Sequence, residues 1–424
     1  VESPSQLAVD LGTTHTVAVV GRPGEPPRTL LFDGYSLMDS GVYLDAEGNI
    51  VTGIEATRLG SSDPVRYEPH PKRRVGEGSI PLGGVEVPVV LLLSAVLSRV
   101  AYEARMAGVN PDGALLTCPV GWGRQHREML TDAARRAGMG EVRLLEEPVA
   151  AAVYCTQVEG HHVPFGGSIA VFDFGGGTLD VTVVRREING WQVASTGGLA
   201  DLGGVDIDLA LLDHFRRHLA RRDPETWKRL FRPRTAVELR ARQDFRTEVR
   251  GAKEALSRNS AVTVRVPGWE RPLHLTREEL EYVSEPLVAR AVEETRRVVE
   301  AAGVSSFLLN SLMLVGGSSR VPLVSTRLYA RLGTTPSVPE QPELPVAVGA
   351  LAYHRLSRNE ETGDLSQVVA ITPESGHVTR AGLPAPDGAP GFRVPVSHPK
   401  LRHLQRRWFG AVRNAFNKPP TTQE

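Results

Sequence analysis

The sequence predicts an α/β protein of two related lobes, each a mixed sheet covered by helices, facing each other across a cleft. Three observations carry this reading. Leu7-Ala8-Val9-Asp10-Leu11-Gly12-Thr13-Thr14 and Ala170-Val171-Phe172-Asp173-Phe174-Gly175-Gly176-Gly177-Thr178 each run from an apolar strand into Asp, then Gly and Thr, then a second β-branched strand. The order strand, strand, helix, strand, helix follows the first of these segments and recurs after Phe172. Finally, 41% of the 424 residues are hydrophobic and 23% charged, enough for more than one buried core and unlike a disordered chain or a small stapled domain.

Each element follows from local pattern. Thr16 to Val20 and Val181 to Val184 complete the two hairpins. Val89 to Arg105 and Arg124 to Ala137 carry apolar residues at helical spacing, whereas Leu115 to Pro119 and Arg143 to Leu145 read as strands. Tyr35 to Pro88 looks like an insertion of short strands and turns. Leu209 to Leu256 looks like an Arg-dense helical insertion punctuated by Pro224 and Pro233, with its arginines on a solvated face rather than a nucleic-acid patch. Beyond Leu356, prolines recur from Pro373 to Pro399, so a domain boundary and a poorly packed linker are expected there. Leu401, Leu404, Trp408, Val412 and Phe416 then recur at helical spacing beside arginines. That pattern predicts a basic amphipathic helix over 400–416, suited to an anionic membrane surface or a protein partner. The expected units are a first lobe over 1–165 (insertion about 36–88), a second over 166–356 (helical insertion about 204–282) and a tail over 357–424.

Composition narrows the function classes. Lys plus Arg and Asp plus Glu both number 49, which argues against a surface built wholly for nucleic acid. From Arg380 onward there are 8 basic and 2 acidic residues, so a mildly acidic body precedes a basic tail. Two cysteines, Cys118 and Cys155, point to buried thiols in a reducing cytoplasm, with the tail as the one route to a peripheral membrane location. The longest apolar stretch, Val87 to Val100, is broken by Pro88 and Arg99, which argues against a membrane span. Arg outnumbers Lys 44 to 5, a bias that suggests a GC-rich bacterial genome.

The two hairpins have the chemistry of phosphate binders. Glycine lets backbone N–H groups approach an anion closely, and threonine hydroxyls add donors. Asp10, Asp173 and Asp180 would then stand near phosphate, where a divalent cation held partly through waters resolves the repulsion. These segments, with Glu147-Pro148-Val149-Ala150-Ala151-Ala152 and Gly316-Gly317-Ser318-Ser319-Arg320-Val321-Pro322, resemble the nucleotide-binding signatures of the 70-kilodalton heat-shock chaperone family. Gly203-Gly204-Val205-Asp206-Ile207-Asp208 and Ala252-Lys253-Glu254-Ala255-Leu256-Ser257 resemble that branch of the actin-like superfamily specifically. The match covers roughly residues 5 to 356.

The resemblance implies an actin-like ATPase fold: two duplicated ribonuclease-H-like lobes, a nucleotide cleft between them and small insertion subdomains. It implies that Gly12, Thr13, Thr14, Gly175, Gly176, Gly177 and Thr178 meet phosphate and that Asp10 and Asp180 hold hydrated Mg²⁺. Lys72, Glu147, Asp173 and Thr178 would be catalytic, with Lys72 orienting the attacking water and Glu147 and Asp173 positioning it. Gly203, Gly204, Lys253, Ser257, Gly316, Gly317, Ser318, Arg320 and Glu343 would surround ATP or ADP, with Arg320 packing on the adenine. Pro119 and Arg127 match the pair that relays nucleotide state to a neighbouring domain. In a chain with only 5 lysines, both family positions, Lys72 and Lys253, keep a compact ammonium.

Departures accompany the likeness. Arg250 stands where the family usually has a ribose-binding glutamate, Gly121 and Gly123 replace an aromatic and a polar residue, and the first insertion is short. The 67 residues after Ser357 are fewer than the roughly 100 of a β-sandwich, so no peptide-binding domain is expected there. The expected function is a slowly hydrolysing ATP switch read by an unidentified protein partner. The alternatives are a non-hydrolysing nucleotide-binding scaffold, a bacterial actin-like filament protein and a sugar kinase.

Overall fold

The computed structural model describes residues 6–22, 25–269, 272–304, 309–362 and 392–395. Two sheets with the same topology organise it. In the first, strands Gln6–Leu11 and His15–Gly21 form an antiparallel hairpin, Arg28–Thr29 extends it on one side, and Leu115–Cys118 and Arg143–Glu146 add in parallel on the other. In the second, Ser168–Phe174 and Leu179–Glu187 form the hairpin, Gly190–Leu199 extends it, and Ser311–Val315 and Pro336–Ser337 add in parallel. The register places Asp10 opposite Val17 and Asp173 opposite Asp180, so both aspartates stand one residue before the end of their strand, beside the hairpin turn.

The lobes share a core. Helices Glu147–Gln157 and Pro345–Thr362 are wedged between the sheets, where Ala150 to Val153 and Val346 to Ala352 pack against Ala8, Val17 and Leu115 of one lobe and Ile169, Val171 and Met313 of the other. Their backbones approach so closely that a Cβ on Gly349 would strike the Ala150 carbonyl. Glycine is therefore the residue this crossing tolerates. Helices Val89–Met106 and Arg124–Arg136 cover the first sheet, and Gly204–Arg222, Arg277–Ala301 and Pro322–Leu332 the second. Helix 345–362 runs past the expected boundary at Leu356.

The insertions differ in detail from the sequence expectation. The first contains a helix, Gly53–Ser62, besides its short strands. The second is helical over Pro224–Phe231 and Ala236–Leu256 but also holds the hairpin Ala261–Val264/Leu273–Thr276, so the span 204–282 is not wholly helical. Alternation of Val262, Val264, Leu273 and Leu275 toward the core explains that hairpin. Capping boxes at Thr235/Glu238 and Thr276/Glu279 start the two long helices.

Within the linker expected to be poorly packed, the short described segment 392–395 is docked. Arg393–Pro395 pairs antiparallel with Asn49–Thr52, Phe392 lies 5.3 Å from the Tyr102 ring, and Arg393 stands 3.5 Å from Asp45. An unpaired sheet edge offers backbone partners at any sequence distance, which local composition does not reveal. Residues 363–391 and 396–399 of the linker and the 400–416 helix lie outside the described residues. Among the described residues, no helix is long and apolar enough to cross a membrane. Cys118 and Cys155 are free thiols and buried.

Candidate functional site

The two hairpin turns meet. A Cβ on Gly176 would collide with the Thr14 hydroxyl, one on Gly203 would come within 2.5 Å of the Gly177 backbone, and one on Gly204 would strike Ser318 Oγ. Gly204 and Val205 donate backbone N–H groups to the carbonyls of Gly175 and Gly176 at 3.0 and 2.8 Å, and Ser318 Oγ donates to Gly175 at 2.8 Å. Gly316, at φ +80°, passes so close to Asp173 that a Cβ would lie 2.6 Å from Oδ1. The predicted glycines thus form a cradle made mainly of backbone. Within it the Thr14 hydroxyl is buried with no hydrogen-bond partner in the protein. A buried donor left unpaired costs about 1–3 kcal/mol, which an anionic ligand oxygen would offset.

Below the cradle lies a cluster of charge. Lys72, on the short turn Pro71–Arg74, donates from Nζ to Glu147 Oε1 at 2.7 Å, and both side chains are largely buried. Glu147 is the first residue of the helix wedged between the sheets. Asp10 accepts a 2.7 Å hydrogen bond from Thr117, and Asp180 a 3.0 Å bond from Thr178. Burial, then the Glu147 carboxylate, pushes the Asp10 pKa up to about 6, despite the opposing effects of Lys72 and Thr117. Burial and the neighbouring Glu147, Asp180 and Asp10 hold Asp173 well above the usual carboxylate range. Asp180, open to the cleft, is raised by burial and Glu147. Burial alone would lower Lys72, but Glu147 and Asp10 outweigh it and keep the ammonium charged.

Four carboxyl groups therefore share one lysine, an excess of negative charge that helps hold the aspartates above their usual range. Their ligand atoms do not converge into a three-ligand cage, unlike Cys155, Glu159 and His161 elsewhere among the described residues. Such a donor set suits a hydrated divalent cation better than direct chelation. A small recess open to solvent lies beside the cluster, lined by Pro119, Gly121, Glu147, Asp173, Asp180 and Val346.

The other end of the cleft is internally paired. Lys253 Nζ lies 2.7 Å from Asp208 and donates to the Gly204 carbonyl at 2.9 Å. Arg320 pairs with Glu343 at 2.9 Å, and a Cβ on Gly317 would come within 3.0 Å of that carboxylate. Ser257 closes the helix that carries Lys253. Arg250, half-buried on the same helix, pairs with Glu254 at 3.0 Å and lies in the field of Asp208 on its own lobe and Asp39 on the other. Thr13 enters through its carbonyl, 3.3 Å from His70 Nδ1, while Gly12 makes the tight turn beside the His15 carbonyl.

Several contributors were not foreseen. Lys72 sits over the Trp122 ring at 5.6 Å, an aromatic between the two glycines noted as departures. Arg73 reaches across the cleft to the Ala200 carbonyl at 3.2 Å and lies against Gly177. Thr117 orients Asp10 from a plain apolar strand that gave no signal. Arg127, singled out with Pro119, joins Glu146 at 2.9 Å to the Trp122 carbonyl at 2.8 Å.

A family model described as Hsp70 protein matches residues 91–375. The chaperone protein HscA of Cronobacter sakazakii is 33% identical over 402 residues, covering 88% of this chain and 62% of its own length. That of Pectobacterium atrosepticum is 33% identical over 404 residues, covering 89% and 62%. The HscA homolog of Bordetella petrii is 30% identical over 403 residues, with the same coverage of 89% and 62%. The chain spans about 62% of the length of these curated relatives.

Proposed function

The chain belongs to the Hsp70 family, with its actin-like fold, and from that premise we propose that it is a nucleotide-dependent switch that binds ATP, hydrolyses it slowly to ADP and phosphate, and acts in a chaperone-like way on a protein partner. The observation that carries the proposal is the Lys72–Glu147 bridge at 2.7 Å, set among three aspartates beneath a glycine cradle that joins both lobes.

The residues divide the work. The cradle N–H groups and Thr13 and Thr14 bind the phosphates, and Lys253, Ser257 and Arg320 flank the nucleoside. Lys72 holds the attacking water on the γ-phosphate axis, and Glu147 and Asp173 orient its protons. Thr178 donates to the transferring group once it leaves Asp180. Phosphoryl transfer of this kind depends on placement and charge stabilisation more than on covalent chemistry. Asp10 and Asp180 would hold Mg²⁺ through waters, and the carboxylate excess around Lys72 fits that role. Bound there, Mg²⁺ offsets the charge of phosphates and carboxylates together. Arg127 links Glu146, next to Glu147, to the Trp122 loop, which gives nucleotide state a route to the surface where a partner reads it.

Single-turnover hydrolysis tests this. With Mg²⁺·ATP, the Lys72→Ala and Thr178→Ala variants are expected to slow by roughly 10²–10³-fold while remaining folded. Unchanged turnover in both would remove the ATPase reading and leave a nucleotide-binding scaffold.

A further inference from the structure

Away from the cleft, at the far end of the helix that begins with Glu147, a second group of polar side chains converges. The helix ends at Gln157, and the chain turns back over its last turn: Glu159 N–H reaches the Tyr154 carbonyl at 3.2 Å and His161 N–H the Cys155 carbonyl at 3.0 Å. Gly160, at φ +73°, makes that reversal without strain. Ligand atoms of Cys155, Glu159 and His161 thereby lie within 4.8 Å of one another. His161 Nε2 is 3.5 Å from Glu159 Oε2.

The surroundings orient these atoms. Ser311 Oγ lies 3.3 Å from His161 Nδ1 and 3.5 Å from Cys155 Sγ, on the strand that leads to Gly316. Accepting from Nδ1–H, it would fix the tautomer that leaves the Nε2 lone pair free. Ser337 donates to Glu159 Oε2 at 2.7 Å. A partner on the non-ligating nitrogen of a histidine and a hydrogen bond to a carboxylate are the outer shell that metal ligands require. His161 is exposed and Cys155 buried, so the group opens to solvent on one side.

We propose that Cys155, Glu159 and His161 form a binding site for a borderline divalent cation of the zinc class, with water in the fourth position. One sulfur, one imidazole nitrogen and one carboxylate oxygen disfavour Mg²⁺ or Ca²⁺, which take oxygen donors, and suit tetrahedral Zn²⁺ or Co²⁺. Uptake replaces the thiol proton of Cys155 by the metal, the S–H bond breaking as the S–metal bond forms, and the proton goes to solvent. The site is separate from the nucleotide chemistry and does not depend on it.

Titration of the full chain with Co²⁺, in saturating Mg²⁺, tests the proposal, because thiolate ligation produces a near-ultraviolet charge-transfer absorption that oxygen ligation in the cleft does not. One equivalent is expected to develop the band, and Zn²⁺ to bleach it. The band should vanish in Cys155→Ser and persist in Cys118→Ser. His161→Ala, at an exposed position, should weaken cobalt binding by about tenfold or more. Absence of the band, its survival in Cys155→Ser, or unchanged affinity in His161→Ala would overturn the proposal and leave the trio as a hydrogen-bonded helix terminus.

Discussion

The two ends of the cleft solve the same problem, burying charge, in opposite ways. At the proposed phosphate end Asp10, Glu147, Asp173 and Asp180 face one ammonium, and the aspartates are held above their usual range. At the proposed nucleoside end each cation has its own acid: Lys253 with Asp208, Arg320 with Glu343, Arg250 with Glu254. The first end is poised for a ligand that brings positive charge with it. The second is complete in itself and contributes shape and hydrogen bonds. The same substitution chemistry, Asp to Asn, should therefore act with opposite sign at the two ends.

The largest effect is expected at Asp208. Removing its charge leaves the buried Lys253 ammonium with only the Gly204 carbonyl, and a broken buried pair costs about 3–5 kcal/mol. Asp208→Asn should lower the melting temperature of the nucleotide-free protein by many degrees in calorimetry. A neutral result would mean that the nucleoside end is not held by that pair.

A smaller effect of opposite sign is expected at Asp10. Its folded pKa, about 6, exceeds the ordinary 3.8, so between those values the folded chain binds more protons than the unfolded one. The contribution of Asp10 to the stability of the nucleotide-free protein should fall as pH rises through that window and level off above it. Asp10→Asn keeps the Thr117 hydrogen bond and removes the titration. It should raise stability at pH 7 by roughly 1–2 kcal/mol and make the fall between pH 4 and 6 shallower, leaving the part that Asp173 and Asp180 contribute. Destabilisation at pH 7 would break the contrast.

The hairpin turns that build the proposed phosphate end were also the more legible in the sequence. Asp-Gly-Thr turns after apolar strands read as anion sites because glycine and a short hydroxyl side chain are needed there, and the repeat of that pattern matched the repeat of the sheets. Hairpin strands and the helices 89–106 and 124–136 were likewise set by local periodicity. Contacts made at long range were not. Trp122 beneath Lys72, Thr117 on Asp10 and the bridge from Arg73 to Ala200 depend on which loops the fold brings together. The docking of Phe392 to Pro395 on strand Asn49–Thr52 depends on an open sheet edge, and proline-rich composition pointed the other way. Lys253 was expected to face a nucleotide, yet its first partner is Asp208, on another helix of the same lobe.

We propose that the carboxylate-rich end of the cleft needs a divalent cation together with its nucleotide. Isothermal titration of the full chain with ATP, in Mg²⁺ and in excess chelator, measures it most directly. Binding is expected to be at least about tenfold tighter with Mg²⁺, a difference of about 1.4 kcal/mol, and to lose that difference in Asp10→Asn. Equal affinity with and without Mg²⁺, or no ATP binding at all, would contradict the account.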